Sequence, residues 1–191
     1  MKLILGSSSK HRKEILEKAG YVFDIFNPDI DEKLIETNNS YERPLILARA
    51  KADDLMKKIK EPALIIALDT VVIGNGKLYE KPKTEIEARE FLKKYSEDLV
   101  PETVSAIVVI NTITGKRYEG VDKAKVFFKK FPPFMIEDFI KNGEPLSRAG
   151  GFGIQHPIME PYVEKIEGDK GSVTGTPLQL LKKLLTEAGY Q

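Results

Sequence analysis

The stretch ALIIALDTVVIG, Ala63–Gly74, decides how the rest of the chain is read. It is aliphatic and β-branched almost throughout, and its only charge is Asp69. Gly74-Asn75-Gly76-Lys77 closes it, and Asn-Gly suits the positive backbone angles of a tight hairpin turn. Residues 63–73 therefore read as the most deeply buried strand, turning back at the hairpin. A carboxylate within such a run is costly unless it is paired or stands at the strand's end. In open α/β sheets, functional residues gather at the carboxyl ends of strands. Asp69 is thus a candidate functional carboxylate; the plainer alternative is that it binds backbone amides.

Toward the N-terminus, residues 2–6 read as a short buried strand and Ser7-Ser8-Ser9 as a polar turn. Residues 10–19 read as a helix with Ile15, Leu16 and Ala19 on one face and Gly20 as its stop. A strand is expected over 21–26, ended by Asn27-Pro28, and an acidic loop over 29–39. The spacing of Leu45, Ala48, Ala52 and Leu55 predicts a long helix over about 40–59. Toward the C-terminus, Thr84-x-x-Glu87 is a capping box opening a helix that reaches Tyr95. Residues 104–111 and 118–128 read as paired strands, 132–141 as a helix, 149–155 as a Gly-rich turn and 162–166 as a short strand. Thr176-Pro177 predicts the start of a last helix, with Thr as cap and Pro in the first turn. Strands and helices alternate at both ends with a hairpin between, so the fold class is α/β, with a mixed central β-sheet flanked by helices.

Composition narrows the function classes. The 191 residues are 41% hydrophobic and 31% charged, enough apolar material for a sizeable core. Thirty Lys and Arg against 29 Asp and Glu leave a formal charge of +1, so bulk charge argues neither for nor against a polyanion such as DNA. No nucleic-acid partner is expected. The chain has no Cys, which removes thiol nucleophiles, disulfides and the commonest zinc ligands; two His exclude a His-rich metal site. The apolar run at the N-terminus is too short for a signal peptide, and none in the chain is long enough to span a membrane. A cytoplasmic protein with no membrane partner is expected.

Five further features could carry chemistry. Ser7, Ser8 and Ser9 stand between a strand and a helix, with Arg12 in the first turn. Free N–H groups, hydroxyls and a cation there would suit a phosphate; the plainer reading is a Ser-capped surface helix. Asp31-Glu32 is an ordinary solvated pair unless a second carboxylate such as Asp69 joins it, when two oxygen donors would suit Mg²⁺ beside substrate phosphates. Lys51, flanked by small residues on the long helix, reads by itself as one more surface lysine. Lys81, beside the rigid Pro82, is similar. In Ala149-Gly150-Gly151-Phe152-Gly153-Ile154-Gln155 the glycines allow close backbone approach and Gln155 offers both a donor and an acceptor; a plain turn is the alternative.

Taken in order, Ser7-x-Ser9-x-x-Arg12, Asp31-Glu32, Ala48-Arg49-x-Lys51-Ala52, Asp69-Thr70-x-Val72, Lys81-Pro82, Ala149 through Gln155 and Gly175-Thr176-Pro177-Leu178 resemble the motif series of the Maf family across nearly the whole chain. The resemblance implies a fold related to that of inosine triphosphatases, as one domain over 1–191 with two lobes and a cleft between them. It implies a nucleoside triphosphate pyrophosphatase that needs a divalent cation, Mg²⁺ or Mn²⁺, together with the septum-inhibition role named for the family. A small-molecule nucleotide is the expected partner, and the resemblance is compatible with a homodimer. By the same resemblance, Arg12, Lys51 and Lys81 would meet the triphosphate, with Ser7 and Ser9 cradling it. Glu32 and Asp69 would hold the metal, and Asp69 would act as base. His11, Thr70, Gly150, Gly151 and Gln155 would line the substrate site.

Thr70 and Gln155 favour the branch acting on dTTP and UTP over the one acting on 7-methyl-GTP. The chain also departs from the family pattern. Lys10-His11-Arg12 stands where Pro-Arg-Arg is usual, so His11 replaces a fixed positive charge. Glu80-Lys81-Pro82 stands for Gly-Lys-Pro. The segment around Pro101 lacks the usual His, with Ser105 near the family's hydroxyl residue.

Overall fold

The computed structural model describes residues 1–190. The chain divides into two compact units. The first comprises residues 1–69, 105–122 and from 175 onward; the second comprises 70–104 and 123–174. Among the described residues seven strands pair in the order β2-β1-β3-β5-β6-β7, with β4 on β3. These are β1 (Lys2–Gly6), β2 (Phe23–Ile25), β3 (Ala63–Gly74), β4 (Lys77–Tyr79), β5 (Glu102–Asn111), β6 (Arg117–Phe128) and β7 (Val163–Gly168). The sheet is mixed, as expected: β1 runs parallel to β2 and β3, while β4 and β7 pair antiparallel.

In the first unit the sheet's two faces follow directly from alternation along its strands. Leu3 and Leu5 of β1 and Leu64, Ile66 and Leu68 of β3 pack with Leu16 of α1 (Lys10–Lys18) and with Leu181, Leu184 and Leu185 of α7 (Leu178–Glu187). Ile4 and the opposite set of β3, Ala63, Ile65 and Ala67, pack with Ala48, Ala52 and Leu55 of α2 (Arg43–Lys58). Successive strand residues point to opposite faces, so each set forms one wall. Gly6 permits the close approach of α2, because a Cβ there would lie 2.5 Å from Leu55 Cδ1. Asp69 has the same parity as Ala63, Ile65 and Ala67, which aims it at the α2 side.

The second unit has its own core. Ala88, Leu92 and Tyr95 of α3 (Glu85–Glu97) pack with Met135, Ile136, Phe139 and Ile140 of α4 (Pro133–Lys141) and with Phe152 and Ile154. Phe152 meets Tyr95 and Phe128 edge-on, with ring centroids 5.6 and 5.5 Å apart, an arrangement that suits the quadrupoles of the rings. The β3–β4 hairpin turns through Asn75 and Gly76, at φ 48° and 74°, as the Asn-Gly signal predicts. Thr84 caps α3 by accepting from the Glu87 N–H at 3.2 Å. Glu87 completes the motif one residue earlier than the standard box, accepting from the Lys83 N–H at 2.7 Å. Two short helices, α5 (Glu144–Ser147) and α6 (Lys170–Val173), escape the periodicity reading because one turn is too short to show a period.

Several boundaries differ from the sequence reading for local reasons. The long helix begins at Arg43 and not near 40, since Pro44 fits only its first turn. The strand expected over 21–26 keeps just three residues. The acidic loop contains a 3₁₀ turn, Glu32–Leu34, capped by Asp31. Thr176 does not cap α7. Pro177 occupies the cap position, and the Thr176 hydroxyl is fully buried without a hydrogen-bond partner. Among the described residues no helix is long and apolar enough to cross a membrane.

Candidate active site

In the first unit β1 delivers its last residue, Gly6, to the start of α1, and the serines organise the turn between them. Ser9 is the helix N-cap, its Oγ accepting from the Arg12 N–H at 3.4 Å. Ser7, buried, accepts on Oγ from the Ser9 N–H at 3.3 Å and from Arg12 Nη1 at 3.4 Å. The Arg12 side chain folds back across the unit. Nη1 donates to the Leu68 carbonyl at 3.0 Å and Nε to the Gly175 carbonyl at 3.2 Å. The guanidinium is thereby fixed between the middle of β3 and the segment leading into α7. His11 is half-buried in the same helical turn and also engaged.

The second group corrects the sequence reading of Lys51. It is a buried residue of α2, on the face that carries Leu47, Ala48, Ala52 and Leu55, and not a surface lysine. Its Nζ lies 2.6 Å from Asp69 Oδ1 and 2.8 Å from Glu32 Oε1. The Lys51 and Asp69 side chains are 10% and 11% exposed, while Glu32 is 49% exposed. Asp69 is therefore the enclosed anion and Glu32 the one that reaches in from the loop. The pair Asp31-Glu32 divides its work: Asp31 accepts from the Lys33 N–H at 3.0 Å and caps the turn that presents Glu32. Burial pushes the Asp69 carboxyl above its ordinary value, while Lys51 and Arg12 pull it back toward the charged form.

Among the described residues no group of three or more His, Cys, Asp or Glu could hold a metal. The donor set present is two carboxylates whose oxygens already surround one positive charge, the Lys51 ammonium. Hard oxygen donors in that number fit Mg²⁺ or a similar cation, which is commonly held by one or two carboxylates and completes its sphere with water and substrate phosphates.

In the second unit the Gly-rich turn packs against the Lys81 loop. The Gly150 N–H donates to the Glu80 carbonyl at 3.0 Å, and the buried Tyr95 hydroxyl donates to the Gly150 carbonyl at 2.9 Å. Gly150 and Gly151 both take φ near +70°, and both are buried. A Cβ on Gly150 would meet Val72 at 2.8 Å, and one on Gly151 would meet Pro82 at 3.2 Å. These glycines are demanded by the fold of their own unit. Lys81 is exposed while Pro82 is buried, so the loop is anchored by its proline and presents its lysine outward. Thr70 is half-buried and Gln155 is exposed in the turn after Ile154.

Sequence reasoning missed the Leu68 and Gly175 carbonyls that hold Arg12, and Tyr95, which holds Gly150. Backbone carbonyls carry no residue-specific signal, and Tyr95 reads only as an apolar helix position. Burial of Lys51 did leave a trace: it lies three residues after Ala48 and four before Leu55, on the helix's apolar face.

The family model described as Maf-like protein matches residues 2–188. A 7-methyl-GTP pyrophosphatase of Dictyostelium discoideum is 40% identical over 192 residues, covering 97% of this chain and 96% of its own. A dTTP/UTP pyrophosphatase of Clostridium perfringens strain SM101 is 39% identical over 186 residues, with 97% and 96% covered. A dTTP/UTP pyrophosphatase of Alkaliphilus metalliredigens is also 39% identical over 186 residues, with 96% and 94% covered.

Proposed function

Because the chain belongs to the Maf family, whose model spans it nearly end to end, we propose that it hydrolyses dTTP and UTP to the nucleoside monophosphate and pyrophosphate. The activity class is that of its relatives, which are nucleotide pyrophosphatases. The observation that supports a hydrolytic site is the buried Asp69, held at 2.6 Å by Lys51 with Glu32 on the same ammonium.

Cleavage between the α- and β-phosphates needs an oriented water and neutralised charge more than covalent chemistry. Asp69 is the base that takes the proton of the attacking water, and burial, which raises its proton affinity, favours that role. Arg12 and Lys51 bind the triphosphate, and the Ser7–Ser9 turn cradles it at the N-terminus of α1. Glu32 and Asp69 would hold a divalent cation, Mg²⁺ or Mn²⁺, which when bound supplies charge neutralisation and a more acidic water. In the second unit, Lys81 is assigned to the triphosphate, and Thr70, Gln155 and the backbone of Gly150 and Gly151 to the nucleoside. His11, next to Arg12, tunes which base is preferred.

The 7-methyl-GTP reading has its own support in the 40% identity to the Dictyostelium enzyme. One assay separates the two: purified protein against a panel of nucleoside triphosphates with Mg²⁺ or Mn²⁺, following pyrophosphate. Pyrophosphate release fastest from UTP or dTTP supports the proposal. A clear preference for 7-methyl-GTP, orthophosphate as the first product, or no turnover with either metal overturns it.

A further inference from the structure

The Lys51 ammonium stands at the point where a cation shared by Glu32 and Asp69 would stand. Its Nζ is within 2.8 Å of one carboxylate and 2.6 Å of the other. A small divalent ion approaches carboxylate oxygens to about 2.0–2.2 Å, so an ion on those same oxygens and the ammonium would compete for one space. Charge argues the same way. The enclosed Asp69 has its charge met by Lys51 and Arg12, and Arg12 is tied to the Leu68 and Gly175 carbonyls. Lys51 is thus the cation able to leave. Its flexible four-carbon stem runs between Leu47 and Leu55, one turn to either side on the same face of α2. The mobile end is the ammonium, which can turn from the carboxylates by rotation about the terminal bonds of the stem.

We propose that Lys51 is the site's resident cation and exchanges with the divalent metal. The ammonium holds Glu32 and Asp69 together in the free protein. On loading it releases both carboxylates to the metal and turns its charge to the incoming triphosphate. This rests on the metal role given above to Glu32 and Asp69. It makes metal and nucleotide binding mutually reinforcing, because the nucleotide receives the lysine that the metal displaces.

The test is Mn²⁺ binding to the full chain without nucleotide, read from the electron paramagnetic resonance signal of free Mn²⁺. Lys51→Met keeps the stem and removes the charge. It is expected to bind Mn²⁺ more tightly than wild type by on the order of tenfold or more, since a buried carboxylate that has lost its partner is left uncompensated. Adding Asp69→Asn to Lys51→Met is expected to abolish the gain. Equal or weaker Mn²⁺ binding by Lys51→Met, alongside metal-dependent turnover in wild type, overturns the exchange and leaves the proposed function standing. A gain that survives Asp69→Asn places the ion elsewhere and overturns both the metal assignment and the exchange. Should Lys51→Met fail to fold, wild type answers by ¹⁵N NMR of the lysine ammonium groups during a Mg²⁺ titration. The Lys51 signal is expected to move as Mg²⁺ binds, and a signal unmoved at saturation overturns the proposal.

Discussion

Arg12 Nη1 donates to the main-chain carbonyl of Leu68 at 3.0 Å, so a residue of the first helix holds the strand immediately before Asp69. The same side chain reaches the Gly175 carbonyl through Nε at 3.2 Å. A planar guanidinium, with its five N–H donors in a fixed fork, meets two carbonyls that lie in different directions at once. Arg12→Lys is therefore expected to lose at least one of these contacts while keeping its charge. A hydrogen bond from a charged donor is worth about 1.5–3 kcal/mol, so kcat/KM should fall roughly tenfold to a hundredfold. Steady-state kinetics with UTP and dTTP measure this; kinetics unchanged from wild type would mean that charge alone matters at position 12.

Asp69→Asn is expected to abolish turnover while leaving the chain folded. The amide keeps the shape but cannot take a proton and is a poorer metal ligand. Loss of a general base costs on the order of 10²–10⁴-fold in rate. Lys51 keeps Glu32 as its partner in the variant, so the ammonium is not stranded. Circular dichroism and pyrophosphate release check the two halves, and near-normal turnover in a folded variant would move the base to another carboxylate.

Gly150→Ala should be destabilising well beyond an ordinary glycine replacement. At φ 69° the new Cβ is strained, and it would press on Val72 at 2.8 Å and Phe152 at 3.0 Å. Overpacking typically costs about 1–3 kcal/mol on top of the backbone term. Gly20→Ala is the control: φ is 85° there but the space around it is open, so only the backbone term of about 1 kcal/mol applies. Denaturant unfolding of both variants is the measurement, and equal losses would show that the contacts around Gly150 relax freely.

His11→Arg is expected to shift preference toward dTTP and UTP. Position 11 carries a fixed positive charge in the family branch that this chain resembles, and His11 lies in the same helical turn as Arg12. One restored charged hydrogen bond of about 1.5–3 kcal/mol corresponds to roughly tenfold or more in the ratio of specificity constants. The ratio is taken among UTP, dTTP, CTP and 7-methyl-GTP, wild type against variant. An unchanged ratio would show that the side chain at 11 does not meet the nucleotide.

Elements with local causes are legible in the residues that form them. The run from Ala63 to Gly74 is a buried strand because its side chains are aliphatic and β-branched. Asn75-Gly76 turns it back because those residues tolerate positive φ. Ser9 and Thr84 cap their helices because a hydroxyl there reaches a free N–H one turn on. The order of the polar motifs was equally legible, since it lies in residue identity. Thr176 shows where such reasoning stops: its place before a proline reads as a cap, yet its hydroxyl is buried and unbonded. What Lys51 and Arg12 do was decided only in three dimensions. Lys51 meets Asp69 across 18 positions of sequence and Arg12 meets Gly175 across 163. The reason is that contact between distant residues depends on how a helix face lies on a sheet face. Strand parity aims Asp69 at α2, and the apolar stripe of α2 carries Lys51 down onto it. A lysine of ordinary appearance becomes a buried counter-ion once that packing exists.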